Sequence, residues 1–187
     1  MSQTGKTALI LVDVINSFFD PSQPNYYKGV EDVLPAIRAL RAAAKASGAI
    51  VVHAVERHRP GFGDFEWRKL PVHHVDGAFD GQFFGEFAPE GDNETVVWKR
   101  RFSAFFATDL ALFLAEQQVE RVVIAGVKTN VCIRATAQDA FANGFEPVVP
   151  REATNSNRSH LAEASLEDID RYMGRVVSLD EAIGMLS

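Results

Sequence analysis

The 187-residue sequence has a single cysteine, Cys132, so no intramolecular disulfide can form. That thiol is a packing residue, a bystander or a nucleophile. No apolar run reaches the roughly 18 residues needed to cross a bilayer. The N-terminal MSQTGKTALILVD shows no separate hydrophobic segment before a small-residue cleavage site, so a cytoplasmic location and no membrane partner are expected. Positive charge is scarce: 19 Lys and Arg stand against 25 Asp and Glu, a formal net charge of -6, and the densest basic run is Lys99-Arg100-Arg101. Nucleic-acid binding needs a concentrated positive surface and is not expected. With 47% hydrophobic and 24% charged residues there is no bias toward disorder. The length suits one domain over residues 1–187, with a modest insertion.

What is present is an alternation of strand and helix patterns. TALILVDV, from Thr7 to Val14, is a continuous apolar run, as expected of a strand covered on both faces. From Val30 to Ala46, Val33, Leu34, Ile37, Leu40 and Ala44 recur at helical spacing, and Gly48 supplies a stop. AIVVHAV (Ala49 to Val55), TVVWK (ending at Lys99) and RVVIAGV (Arg121 to Val127) read as further strands. Helices are expected over Leu110–Gln118 behind a Thr108 cap, Val131–Ala142 and Leu161–Tyr172, with short strands near Pro147–Pro150 and at Arg175 and a closing helix in LDEAIGML. This order predicts a three-layer α/β/α fold, a Rossmann-like parallel sheet with helices on both faces. The exception is residues 56–93, rich in glycine, histidine and phenylalanine without periodicity, which reads as a lid, pocket wall or subunit contact.

Ligands of open parallel sheets bind beyond the carboxyl ends of the strands. Asp13 stands at the end of the first strand, Lys99 at the end of the third, and Cys132 in the first turn of the helix after the fourth. Unpaired N–H groups and the helix dipole favour an anion there, and a nearby Lys99 ammonium would help to lower the thiol pKa to about 7. Asp13 could take the thiol proton and return it to a leaving amine, and backbone N–H groups could hold an oxyanion. The plainer alternatives are a packed cysteine, a turn-capping aspartate and a surface lysine.

At these residues the sequence resembles the cysteine hydrolase branch of the isochorismatase-like superfamily. LILVDVINSFFD resembles its opening motif, which would make Asp13 the acid-base residue and put Asn16 and Phe18 near the pocket. VVWKRRFSAFFATDL resembles the segment with the catalytic lysine, here Lys99, and VVIAGVKTNVCIRATAQDAFANGF the segment with the nucleophile, here Cys132. The resemblance implies a six-stranded parallel sheet of order 3-2-1-4-5-6, a cis peptide between Val127 and Lys128, an oxyanion hole from the N–H groups of Lys128 and Cys132, and a covalent acyl intermediate. It also implies cleavage of a C–N bond in a small amide, since the vinyl-ether-cleaving branch generally lacks the cysteine, and it makes a homo-oligomer credible.

Within that family HRPGFGDFE (His58 to Glu66) is nearest to the metal-free biuret, ureide and N-carbamoyl hydrolases, with His58 or Arg59 facing the substrate. No cofactor is then expected. Nicotinamidases are more distant; they carry an Asp-x-His and a later histidine that hold a metal. Here the matching residues are Glu56, His58 and His73, an alternative site for zinc or a similar divalent ion. A vinyl ether hydrolase and a non-catalytic binding protein are the remaining alternatives.

Overall fold

Strand β1 (Lys6–Val12) is wholly buried from Ala8 onward, which is why its sequence is apolar without alternation. In the computed structural model, which describes residues 6–187, β1 lies in the middle of an all-parallel sheet. The others are β2 (Val51–Glu56), β3 (Glu94–Lys99), β4 (Val119–Val127), β5 (Glu146–Pro150), β6 (Thr154–Asn155) and β7 (Arg175–Val177). The order is β3-β2-β1-β4-β5-β7, with two-residue β6 paired to the end of β4. Apart from β6, this is the expected order of six strands. The first five residues of the N-terminal segment read above lie outside the described residues.

Successive residues of β1 face opposite layers. Leu9 and Leu11 pack with α2 (Leu34–Ser47) and α6 (Leu179–Leu186), through Ile37, Leu40, Ala44, Ala182 and Leu186. Ala8, Ile10 and Val12 face α3 (Leu110–Glu116), α4 (Arg134–Ala142) and α5 (Ser159–Tyr172), through Leu110, Leu114, Ala137, Ala140, Leu166 and Ile169. Each fully buried Leu or Ile contributes about 1.5–3 kcal/mol. A single helical turn, α1 (Asn16–Phe19), precedes them and is buried throughout.

Local chemistry explains where the elements begin and end. The helix expected from Val30 is a 3-10 turn over Val30–Val33 followed by α2, because Pro35 has no N–H to give a preceding turn and fits only the start of a helix. Gly48, at φ 74, closes α2 as expected. The N-cap position of α3 is held by Asp109, without a side-chain bond; Thr108, one residue earlier, accepts from Leu110 N at 3.4 Å and donates from Oγ1 to Ala104 O at 2.6 Å. Gly126 has φ 123, and a Cβ there would lie 2.0 Å from Val12 O, so only glycine lets β4 approach β1 at the site edge. The next peptide bond, Val127-Lys128, is cis, as the resemblance implied.

The 56–93 segment has 3-10 turns at Glu66–Arg68, Phe79–Gly81 and Gly85–Phe87 and is tied down at several points. Arg41 of α2 donates to Glu86 O, Ala88 O and the Glu94 carboxylate. His58 pairs with Val75, and Phe83 with Ile15, in isolated bridges. Of its phenylalanines, Phe87 is in the core and Phe83 and Phe84 pack against it, while Phe62, Phe65 and Phe79 are exposed.

Candidate active site

Asp13 follows β1 with φ 52, a left-handed conformation that aspartate tolerates better than most residues. Its Oδ1 accepts a hydrogen bond from Glu56 N at 2.9 Å, and its Oδ2 lies 2.8 Å from Lys99 Nζ. Parallel pairing sets Glu56 of β2 opposite Lys99 of β3, and the two side chains meet at 3.4 Å. Lys99 Nζ is also 3.7 Å from Cys132 Sγ and donates to Arg101 O at 3.4 Å. The Asp13 and Lys99 side chains are fully buried. The three predicted residues therefore converge on one point, with Glu56 as a second carboxylate partner of the lysine.

Burial alone would push Lys99 down, but the Asp13 and Glu56 carboxylates hold it well above the usual lysine range. It is an ammonium at any physiological pH. Burial likewise raises Glu56, yet Lys99, hydrogen bonds from His58 and His73, and the nearby His74 ring hold it well below the usual carboxylate range. Cys132 runs against expectation. Burial pushes its thiol well up, the Asp13 and Glu56 charges add to that, and Lys99 opposes them without prevailing. Cys132 also sits in a π-type turn, Thr129–Ile133, leading into α4, rather than in an α-helical first turn. The resting thiol is neutral, so its proton must leave during the reaction.

A cavity of about 360 Å³ opens onto Cys132, at the small end of the usual range for ligand pockets. Its apolar walls include Phe18, Pro24, Leu70, Val72, Phe102 and Val131, and Glu56, His73, Asp80 and Lys128 supply polar groups. Beside it lies a compact cluster. Glu56 Oε1 is 3.0 Å from His58 Nε2 and 2.9 Å from His73 Nε2. The opposite ring nitrogens have acceptors of their own: His73 Nδ1 meets Pro71 O at 2.6 Å, and His58 Nδ1 meets Asp64 Oδ2 at 3.0 Å, though poorly aligned. Both Glu66 oxygens are buried without a hydrogen-bond partner, 3.8 Å from His58 Nε2 and 3.7 Å from His73 Nε2 at the nearest. Burial and then the Glu56 charge push Glu66 up to about 7, while at His73 burial is outweighed only by Glu56, Pro71 O and Glu66 together, which raise it to about 8. Arg100 and Arg101 pair with Asp64 from outside, at 2.8 and 3.0 Å.

The model of the isochorismatase domain matches residues 7–181. The chain belongs to that family. It is 38% identical over 186 residues to a maleamate amidohydrolase of Pseudomonas putida, covering 97% of this chain and 87% of that one. It is 30% identical over 189 residues to an N-carbamoylsarcosine amidase of an Arthrobacter species, covering 97% and 71%. Among solved structures, a pyrazinamidase of Pyrococcus horikoshii in complex with zinc superposes with a TM-score of 0.83 at 28% identity, over 92% of this chain and 99% of that one.

Within the isochorismatase frame, the four residues expected to meet substrate have different surroundings. Phe18 lines the cavity. Asn16 is buried and donates to Phe79 O at 3.1 Å, His58 points into the carboxylate cluster, and Arg59 is exposed; none of these three is among the cavity's lining residues. The expected alternative metal ligands, Glu56, His58 and His73, do come together, and Glu66 joins them, all four ligand atoms lying within 4.8 Å of one another. This donor set fits a divalent cation such as zinc. With Nδ1 donating to Pro71 O, a neutral His73 turns an Nε2 lone pair toward Glu56, which requires a cation or an extra proton between them. Sequence reasoning missed Asp64, Glu66 and the Lys99 contact of Glu56; the carboxylates of GDFE were the signal for the first two.

Proposed function

We propose that this chain is a cysteine amidohydrolase that cleaves a C–N bond of a small amide or ureide through an acyl- or carbamoyl-enzyme on Cys132. One observation carries the reading: a fully buried Lys99 ammonium 2.8 Å from the Asp13 carboxylate and 3.7 Å from the only thiol in the chain. The amide chemistry named for the Pseudomonas and Arthrobacter relatives supports it.

The chemistry follows from the protonation states. As Cys132 Sγ attacks the carbonyl carbon, its proton passes to Asp13, and Lys99 stabilises the charge developing on sulfur. The backbone N–H groups of Lys128 and Cys132 receive the carbonyl oxygen as it becomes an oxyanion. Asp13 then returns the proton to the leaving nitrogen, the C–N bond breaks, and ammonia or an amine departs. Water adds to the thioester, giving a proton to Asp13; the C–S bond breaks and Asp13 reprotonates the thiol. Asp13 carries a proton twice and ends as the carboxylate it began as.

A second reading adds a metal, on the strength of the Nδ1 contacts of His58 and His73 and of a buried Glu66 carboxylate that accepts no hydrogen bond and has only a 3.7 Å ion pair with Arg101 Nε besides the two histidines. Glu56, His58, Glu66 and His73 would hold it, and when bound it would offer a Lewis-acidic anchor for a donor atom of the substrate. Calorimetry with zinc tests this: one ion per chain, lost in His73→Ala, supports the metal, and no binding at all removes it.

Ammonia release from biuret, triuret, N-carbamoyl amino acids, dicarboxylic monoamides and nicotinamide tests the main reading. Turnover of at least one, absent in Cys132→Ala, is the expected result. Cleavage of isochorismate alone would make the chain a vinyl ether hydrolase, and no turnover of any compound would favour a binding protein.

A further inference from the structure

The amide chemistry uses Asp13, Lys99 and Cys132, yet the cavity wall holds another cation. The half-buried Lys128 side chain lines the cavity, with Nζ 5.5 Å from the Phe18 ring centroid and 5.2 Å from that of Tyr27. The other charged groups of the wall are already engaged: Glu56 by Lys99 and two histidines, Asp80 by His74 N at 2.7 Å. Lys128 Nζ has no hydrogen bond or ion pair among the described residues; the two ring faces are its company.

Ring faces are a modest substitute for a counter-ion. A cation–π contact returns only part of what a charge loses when it is withdrawn from water without a partner. Burial accordingly pushes the Lys128 ammonium down. The neighbouring walls, Phe18, Pro24, Leu70, Val72, Phe102 and Val131, offer nothing to neutralise it. A positive charge facing a small apolar cavity next to the nucleophile is a site for an anionic group on whatever occupies that cavity.

We propose that the Lys128 side chain binds a carboxylate of the substrate, so that the preferred substrate is a short amide or carbamoyl compound bearing an acid group. This rests on the amidase reading. His73 also lines the cavity but is paired with Glu56, so a single cation without a carboxylate partner among the described residues, Lys128, faces about 360 Å³, which suits a carboxylate better than a phosphate, whose further oxygens and charge would need more donors. Lys128 thereby separates N-carbamoyl amino acids and dicarboxylic monoamides from the neutral biuret, triuret and nicotinamide. Its reach also orients the substrate: with the acid group held at Lys128, the amide end is left to Cys132.

The test compares wild type, Lys128→Met and Lys128→Arg on matched pairs: a four-carbon dicarboxylic monoamide against its diamide, and an N-carbamoyl amino acid against its primary amide. The readout is the ratio of kcat/KM for the acid to that for the neutral partner, which cancels any general loss of activity. Wild type should favour the acid, Lys128→Met should lower the ratio at least about tenfold, chiefly through KM, and Lys128→Arg should keep most of it. Calorimetry gives a readout without turnover: a four-carbon dicarboxylate should bind the Cys132→Ser protein at least about tenfold more tightly than Cys132→Ser/Lys128→Met. Equal ratios in wild type and Lys128→Met, or equal binding by the two Cys132→Ser proteins, overturn the proposal while leaving the amidase reading intact. If wild type cleaves no amide but dicarboxylate binding still depends on Lys128, the amidase reading fails and the carboxylate site stands.

Discussion

Replacing Lys99 by methionine removes the charge that links the site and keeps the bulk of the side chain. At 3.7 Å, with an effective dielectric constant of about 20, an ammonium and a thiolate attract by about 4 kcal/mol, on the order of a thousandfold in rate if the charge on sulfur is fully developed. The same change strands the buried Asp13 and Glu56 carboxylates, and breaking a buried pair costs about 3–5 kcal/mol of stability. A lost rate could thus be a lost fold, so the variant is measured by urea denaturation as well as by ammonia release. Adding Glu56→Gln removes one stranded charge. The double variant should regain part of its stability and none of its rate. If Lys99→Met keeps kcat/KM within about tenfold of wild type, or if rate returns together with stability in the double variant, the electrostatic role of Lys99 is wrong.

The raised thiol pKa gives a second outcome: iodoacetamide should modify Cys132 more slowly at pH 7 than a free cysteine of pKa about 8.5, and the rate should still be climbing above pH 9; fast modification near pH 6 would contradict it. A third concerns Glu94, where burial raises the carboxyl but hydrogen bonds from Arg41 and His53 lower it further, to a net value below the usual one. Since the folded value lies below the unfolded one, its contribution is complete above about pH 4.3 and is lost as pH falls through the lowered folded value. Glu94→Gln should therefore cost about 1–3 kcal/mol at pH 7, and urea denaturation should find the gap to wild type closing in acid. A gap unchanged from pH 7 to pH 3 would show that the carboxylate charge is not what stabilises.

The sheet was legible because β1, β2 and β4 are buried on both faces and so carry apolar runs, while α2 and α5 show one-sided spacing. Two-residue β6 leaves no periodicity at all. Asp13, Lys99 and Cys132 were legible because each follows or ends such a strand, where a polar residue breaks the pattern. The protonation state of Cys132 was not, since it depends on how deeply the thiol is buried and on Glu56, which lies 76 positions earlier and arrives only because β1 pairs with both β2 and β4. Residues 56–93 resisted for the same reason. Without periodicity, the two carboxylates of GDFE mark a chemical possibility but not the turn that brings Asp64 and Glu66 back to His58 and leaves Arg59 exposed.

The central claim is that Cys132 is the nucleophile, and turnover by Cys132→Ala tests it most directly. The substitution removes one sulfur atom from a buried position and should leave folding close to wild type by urea denaturation. On the best substrate of the ammonia-release panel, the account predicts no turnover above background for Cys132→Ala. Turnover at the wild-type rate by the folded variant would contradict it.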